Sequence, residues 1–252
     1  MKRRDIRRPG PGPYLLGLKW VRGPVEGEFP FDVPAVAAIE QMDLSAPVTL
    51  LAGDNGTGKS TLIEAFAAAI GFDPQGGELE RAGELPPVPR PVLGGELEPV
   101  LERWSKPRNG YFLRAESFFN VAAHVDSEGT FSPDLSLYGG TKLHQQSHGE
   151  SFLALATNRF AGEGLYILDE PEAALSVTGA LAVLAAIDRA VKGGAQFIVA
   201  THSPILLACP GARIYELDED GFRECDYDDL DVVRLTRGFL ADPERYLRSA
   251  LG

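Results

Sequence analysis

An α/β fold built on a mainly parallel central sheet is what the sequence predicts, and three observations predict it. Val48–Ala52, Leu165–Leu168 and Gln196–Ala200 are short, almost uninterrupted apolar runs, as strands buried on both faces require. Residues 60–70 and 176–192 instead carry apolar side chains at helical spacing: Leu62, Ile63, Phe66 and Ile70 in the first, Leu181, Leu184, Ile187 and Val191 in the second. Glycine ends both, Gly71 the first and Gly193-Gly194 the second. Strand, helix and strand in alternation make a parallel sheet with helices packed on it.

The remaining elements follow in chain order. Tyr14–Trp20 and the Phe29–Ile39 region read as short β segments separated by Gly and Pro, an N-terminal antiparallel β subdomain. Residues 74–99 are rich in Pro and Gly without a period of two or 3.6, so a long surface loop or mobile insertion is expected. Structure resumes with Val100–Trp104 and Gly110–Glu116, and 126–140 is again turn-rich. Ser147–Phe160 is a helix candidate, Ser147 and Glu150 forming a capping-box pattern at its start. The expected organisation is one domain over 1–252, with a basic tail at 1–13, the insertion at 74–99, a short lobe at 110–160 and a C-terminal extension at 208–252.

Composition excludes several classes. With 252 residues, 44% hydrophobic and 24% charged, the chain is an ordinary globular one. No window approaches the eighteen or more apolar residues of a membrane span, so no membrane insertion is expected. The basic head leads into no apolar signal core, and the two cysteines, Cys209 and Cys225, make neither a disulfide framework nor a metal-ligand spacing. The expected location is the reducing cytoplasm. A net charge of −12 argues against the whole surface binding nucleic acid, although Lys2, Arg3, Arg4, Arg7 and Arg8 concentrate positive charge at one end. The segment Glu216–Asp231 concentrates negative charge near the other.

Four segments carry chemistry. Gly53-Asp54-Asn55-Gly56-Thr57-Gly58-Lys59-Ser60 matches the G-x-x-x-x-G-K-[ST] phosphate-binding loop, set between a strand and a helix. A triphosphate must be approached by backbone N–H groups without intervening Cβ atoms, which is why glycine recurs there. Asn55, Gly56, Thr57, Gly58, Lys59, Ser60 and Thr61 are the expected ATP-binding residues, with the Lys59 ammonium on the phosphates and the Ser60 hydroxyl on Mg²⁺. Asp169 ends an apolar strand, where open α/β sheets bind ligands, and is expected to hold the Mg²⁺ shell. Glu170 beside it is the expected base for the attacking water. His202, in Thr201-His202-Ser203-Pro204, stands one helix and one strand later, where an imidazole reaches the γ-phosphate end. Ser147-His148-Gly149-Glu150 is either a well-capped helix start or an anion clasp, and the pattern alone leaves both open. The triphosphate is expected at the tips of two neighbouring strands, gripped by 53–60 and faced by Asp169.

In this order, GDNGTGKS, SHGES, LYILDEP and ATHSP resemble the motifs of an ABC-type ATPase head over roughly Leu18–Leu207, closest to small standalone SMC/RecF/OLD-like relatives. That resemblance implies two heads sandwiching two ATP molecules. Ser147, Gly149 and Glu150 would then act in trans, and Glu172–Ser176 would cross the same interface as the family's D-loop. It also implies a Mg²⁺- and γ-phosphate-sensing Gln, for which Glu116 is the best-placed residue here, a carboxylate in place of an amide. The implied function is Mg²⁺-dependent ATP hydrolysis coupled to nucleic-acid maintenance or defence, with the 110–160 lobe bearing the signature. An ATP-binding subunit of a membrane transporter and a low-turnover regulatory switch with a protein partner stay open as alternatives.

Overall fold

The computed structural model describes residues 12–24, 27–74, 76–79, 92–102, 107, 109–114, 148–160, 162–173 and 175–251. Glu116, Ser147, the basic cluster at 2–8, the interior of the expected insertion and the turn-rich 126–140 lie outside them.

Nine strands are described: β1 Leu15–Trp20, β2 Val48–Gly53, β3 Gly77–Glu78, β4 Leu97–Leu101, β5 Asn109–Arg114, β6 Gly164–Asp169, β7 Gln196–Ala200, β8 Arg213–Asp218 and β9 Gly221–Glu224. Seven of them form one sheet in the order β3-β5-β6-β7-β2-β8-β9, parallel from β5 to β8 and antiparallel at both edges. The expected fold class is the observed one. Helices α1 Pro34–Ala37, α2 Lys59–Ile70, α3 His148–Arg159, α4 Val177–Lys192, α5 Pro204–Leu207, α6 Asp231–Ala241 and α7 Pro243–Leu251 accompany the sheet. Its strands alternate their side chains between two cores. Leu50, Tyr166, Leu168, Phe197 and Val199 pack with Val183 and Ile187 of α4. Leu51, Ile167 and Ile198 pack with Leu62, Ile63 and Phe66 of α2. This period of two explains why the strands read as continuous apolar runs, since both faces are covered.

Two expectations about the N-terminal region are corrected. The Phe29–Ile39 region is not a β segment: it holds α1 and a 3-10 turn over Ile39–Gln41. Pro34 opens α1, where a missing N–H costs nothing, and Ala35, Val36 and Ile39 bury one helical side. The antiparallel partner of β1 is instead β4, which begins inside the end of 74–99, the segment expected to be a loop, and runs into the Val100 start of expected structure. There β4 pairs with β1 (Leu18↔Pro99, Trp20↔Leu97), and Pro99 is tolerated because this two-stranded ribbon consists of edges. Residues expected to open the lobe at 110 and to form the extension after 208 supply β5, β8 and β9 to the central sheet.

One side chain joins the ribbon to the sheet. Gln196 is fully buried at the start of β7. Its Oε1 accepts from Tyr14 N at 2.7 Å and Leu15 N at 2.9 Å, and its Nε2 donates to Leu15 O at 2.8 Å and Leu44 O at 2.7 Å. Every polar atom of the amide is satisfied, and each is irreplaceable by water at that depth. Gln196→Ala should therefore lower the unfolding free energy by about 3 kcal/mol or more, because several buried backbone groups lose their partners. Urea denaturation measures it, and a loss below about 1 kcal/mol would contradict the assignment.

Candidate functional site

The phosphate-loop sequence leaves β2 at Gly53 and enters α2 at Lys59. Gly53 has φ 139°, and a Cβ there would stand 2.4 Å from Leu217 O. Gly58 has φ 96°, and a Cβ there would stand 2.6 Å from Val33 Cγ1. Both positions thus exclude a side chain on conformation and on space. The loop closes on itself through Thr57, whose hydroxyl donates to Asp54 O at 2.9 Å. Lys59, only 4% exposed, folds back to donate from Nζ to Gly53 O at 3.0 Å and Asp54 O at 2.8 Å. Burial lowers its pKa, opposed by the carboxylates Glu170, Asp169, Asp54 and Glu172. Among the described residues, the amides of Asn55, Gly56, Gly58, Lys59, Ser60 and Thr61 donate to no protein acceptor. A run of undonated N–H groups beside a helix N-terminus and an ammonium is an anion cradle.

Asp169 ends β6, and Ser60 Oγ donates to its Oδ1 at 3.2 Å. The two segments therefore meet, but not as tips of neighbouring strands. Strand β7 lies between β2 and β6, and the first turn of α2 carries Ser60 across its end. Burial pushes the Asp169 carboxyl up to about 6, against the Ser60 hydrogen bond and the Arg114 charge, with Glu170 and Glu64 adding to the rise. Arg114 ends β5 in register with Asp169, and its guanidinium pairs with Glu64 of α2 at 2.8 Å. Among the described residues no group of three or more His, Cys, Asp or Glu side chains could hold a metal ion. What the chain offers Mg²⁺ is one hydroxyl and one carboxylate, hard oxygen donors in contact, and this suits an ion that shares its shell with phosphate and water.

Glu170 adopts φ 48°, the left-handed region, which costs a non-glycine residue on the order of 1 kcal/mol. Its N–H donates to Ala200 O at 3.0 Å, so the chain turns sharply off β6 while still tied to β7. The turn brings Glu170 Oε1 to 3.3 Å from Nε2 of His202, both side chains partly exposed. Asp169, Glu170 and His202 are thereby brought to one end of the sheet, together with Lys59 and Ser60. Of the other expected residues, His148–Glu150 form the first turn of α3, and Ser147 and Glu116 lie outside the described residues. Ser176 caps α4, its Oγ accepting from Gly179 N at 3.1 Å.

Sequence reasoning missed one neighbour of this site, Arg114, and did not foresee the contacts of two others, Glu172 and Phe29. Arg114 carries no motif, and only its register opposite Asp169 reveals it. Glu172 receives two hydrogen bonds from the His202 turn. Phe29 is 72% exposed and lines a cavity of about 730 Å³ together with Gly53–Thr57, Val33, Glu216–Glu219 and Arg223. Of the four aromatic residues that the sequence leaves open for an adenine contact, Tyr14, Trp20, Phe29 and Phe31, the other three are spent elsewhere: Tyr14 and Phe31 are buried, and Trp20 packs on Phe31 at 5.8 Å.

The raised Asp169 pKa has a checkable sign. In the unfolded chain the carboxyl ionises near pH 4, about two units earlier than in the fold, so between these values the native state binds more protons and stability falls as pH rises. Asp169→Asn removes that loss. In metal-free buffer the stability of the variant relative to the wild type should rise by on the order of 2 kcal/mol between pH 4 and pH 7. Urea unfolding at both pH values measures it, and a difference that stays flat contradicts it.

The chain is similar to known proteins in sequence and in fold. Residues 37–86, which include the phosphate loop, match the family described as AAA domain. The cytochrome c biogenesis ATP-binding export protein CcmA of Nitrobacter winogradskyi is 26% identical over 202 residues, 79% of this chain and 95% of that protein. Among solved structures, a metal-chelate type ABC transporter in an inward-facing conformation matches with a TM-score of 0.49 at 18% identity, over 86% of this chain and 84% of that one. The SMC head domain from Thermotoga maritima matches with a TM-score of 0.38 at 18% identity, over 73% of this chain and 91% of that one. By its motifs, the family it matches and its curated relative, the chain resembles an ABC-type ATPase head.

Proposed function

We propose that the chain is a Mg²⁺-dependent ATPase of the ABC type that dimerises around ATP. The observation that carries this reading is the Ser60–Asp169 contact beside six undonated amides, which joins a metal-suited oxygen pair to an anion cradle. In this reading the cradle and Lys59 bind the β- and γ-phosphates, and Ser60 and Asp169 hold Mg²⁺. Mg²⁺ supplies charge neutralisation on the phosphate oxygens. Glu170 orients the attacking water and takes its proton, and His202 hydrogen-bonds the γ-phosphate end. Phe29 stacks on the adenine at the mouth of the cavity, a role that its exposure beside the loop supports.

A second copy would bring Ser147, Gly149 and Glu150 onto the γ-phosphate in trans. Support comes from α4, whose first turns expose Val177 at 68% and Leu181 at 53% directly after the 172–176 segment. Apolar side chains at this spacing suit coverage by another protein surface. The transporter-subunit reading draws its support from the relative, an export protein by name. Nucleic-acid maintenance or defence remains the role that the SMC/RecF-like motifs favour. DNA or RNA that raises turnover, with the effect lost at high salt, separates the two. No helix among the described residues is long and apolar enough to cross a membrane.

Glu170→Gln should bind ATP, hydrolyse it at least 100-fold more slowly, about the contribution of a general base, and elute as a dimer only with ATP. Wild-type turnover in that variant removes Glu170 from the base role. Lys59→Ala should lose nucleotide binding in calorimetry, and undiminished binding refutes the cradle. Phe29→Ala should weaken ATP binding about tenfold while leaving binding of inorganic triphosphate unchanged, as loss of one stacking face requires.

A further inference from the structure

Glu172 opens the segment that the resemblance places at a dimer interface, but that role does not explain where its carboxylate sits. It follows Glu170 by two residues, on the turn that leaves β6, yet it reaches across to the turn that leaves β7. Its Oε1 accepts two successive amides, from His202 N at 2.5 Å and Ser203 N at 3.0 Å. Charge-assisted bonds of this kind are about twice as strong as neutral ones. The β6 turn is itself knitted, with Ala173 N donating to Glu170 O at 3.1 Å and Leu175 N to Glu172 O at 2.8 Å. On the other side, Thr201 N is fixed to Leu51 O of β2 at 3.1 Å, and Ser203 Oγ accepts from Leu206 N at 3.4 Å.

What this clamp holds is the spacing of Glu170 and His202. Their side chains approach to 3.3 Å, but this contact lacks hydrogen-bond geometry, and among the described residues the buried His202 Nε2 makes no hydrogen bond. No hydrogen bond from Glu170 fixes the imidazole. Its place is set from behind, by the backbone that Glu172 grips. The second oxygen, Glu172 Oε2, is also buried and unpartnered. Leaving a carboxylate oxygen in that state is unfavourable, so the other oxygen's two bonds do not reflect mere convenience of a surface side chain.

We propose that Glu172 is a positioning residue for the hydrolytic step, locking the His202 turn to the Glu170 turn so that imidazole and carboxylate address the same γ-phosphate and water. The inference rests on the ATPase reading above. It differs from that reading in assigning the geometry of His202 to one carboxylate outside the four motifs that bind and cleave. Glu172 touches neither phosphate nor metal in this account, and its charge is the weakest of those acting on Lys59, so ATP binding should depend on it little.

Steady-state kinetics with Mg²⁺-ATP on the full chain tests this. Glu172→Ala should lower kcat by about 30- to 100-fold, the size expected for misplacing a group by about 1 Å, with KM and the ATP dissociation constant within about twofold of wild type. Glu172→Gln keeps an oxygen acceptor and should recover most of the rate. In a His202→Ala background, Glu172→Ala should cost almost nothing further, because the residue acts through His202. An equal loss in both backgrounds, or a Gln variant no better than Ala, overturns the proposal. The imidazole proton resonances of His202 give a readout independent of turnover: they should shift in Glu172→Ala and return toward wild type in Glu172→Gln. Unmoved resonances overturn the assignment even where activity falls. A wild-type chain without Mg²⁺-dependent turnover defeats the ATPase reading instead, and the resonances then decide alone whether Glu172 places His202.

Discussion

Parallel register at the carboxyl ends of three strands is the constraint on which the site depends. Asp169 of β6 stands opposite Ala200 of β7, and Ala200 stands opposite Leu51 of β2. The chain therefore leaves β6 and β7 on one line and β2 two residues beyond it, and the turns carrying Lys59, Glu170 and His202 emerge at the same end of the sheet. Slippage of one strand by a single residue would turn each of its side chains to the wrong face. Complete burial of these strands on both faces prevents that, with Leu50, Val199 and Leu168 on one side and Leu51, Ile198 and Ile167 on the other. Packing of the hydrophobic core is thus what aims the polar residues.

The polar residues are arranged at some cost to the fold. An ammonium and a carboxylate, Lys59 and Asp169, are both buried and both shifted toward their neutral forms by desolvation. Neither is paired with the other in a hydrogen bond: Lys59 is held by carbonyls and Asp169 by a hydroxyl. Glu170 adds a left-handed backbone. Unfavourable terms gathered at one end of a well-packed sheet are what a site looks like when its charges wait for countercharge from a ligand.

Much of this was legible in the sequence. The strands β2, β6 and β7, the helices α2 and α4 and the loop 53–60 all announce themselves through continuous apolar runs, 3.6-residue spacing and glycine stops. The elements that were not legible share a cause, which is that their pattern is shaped by a partner distant in sequence. Strand β4 carries Pro99 and borders a Pro- and Gly-rich segment, and only pairing with β1 makes it a strand. Strand β8 hides in an acidic stretch, because Glu216 is buried against Arg223 of β9 and receives Asp231 N. The order of the strands was invisible for the same reason, so the presence of β7 between β2 and β6 could not be read from motif spacing. Arg114 and Glu172 belong to this group as well. Each acts on a residue of another strand end, a contact that no local pattern encodes.

Gln196 has a consequence for how the molecule comes into being. The strand it anchors, β1, is the first element described in the chain, but the amide that receives Tyr14 N and Leu15 N lies 182 and 181 residues later. At ribosomal rates that separation amounts to roughly ten to forty seconds of synthesis. Throughout that interval β4 and the core side chains Ile39, Met42 and Leu44 are already available to β1, but the buried acceptor for Tyr14 N and Leu15 N is not yet made. Newborn copies therefore keep the join between ribbon and sheet open, and exposed to association or chaperone capture, until β7 has left the ribosome.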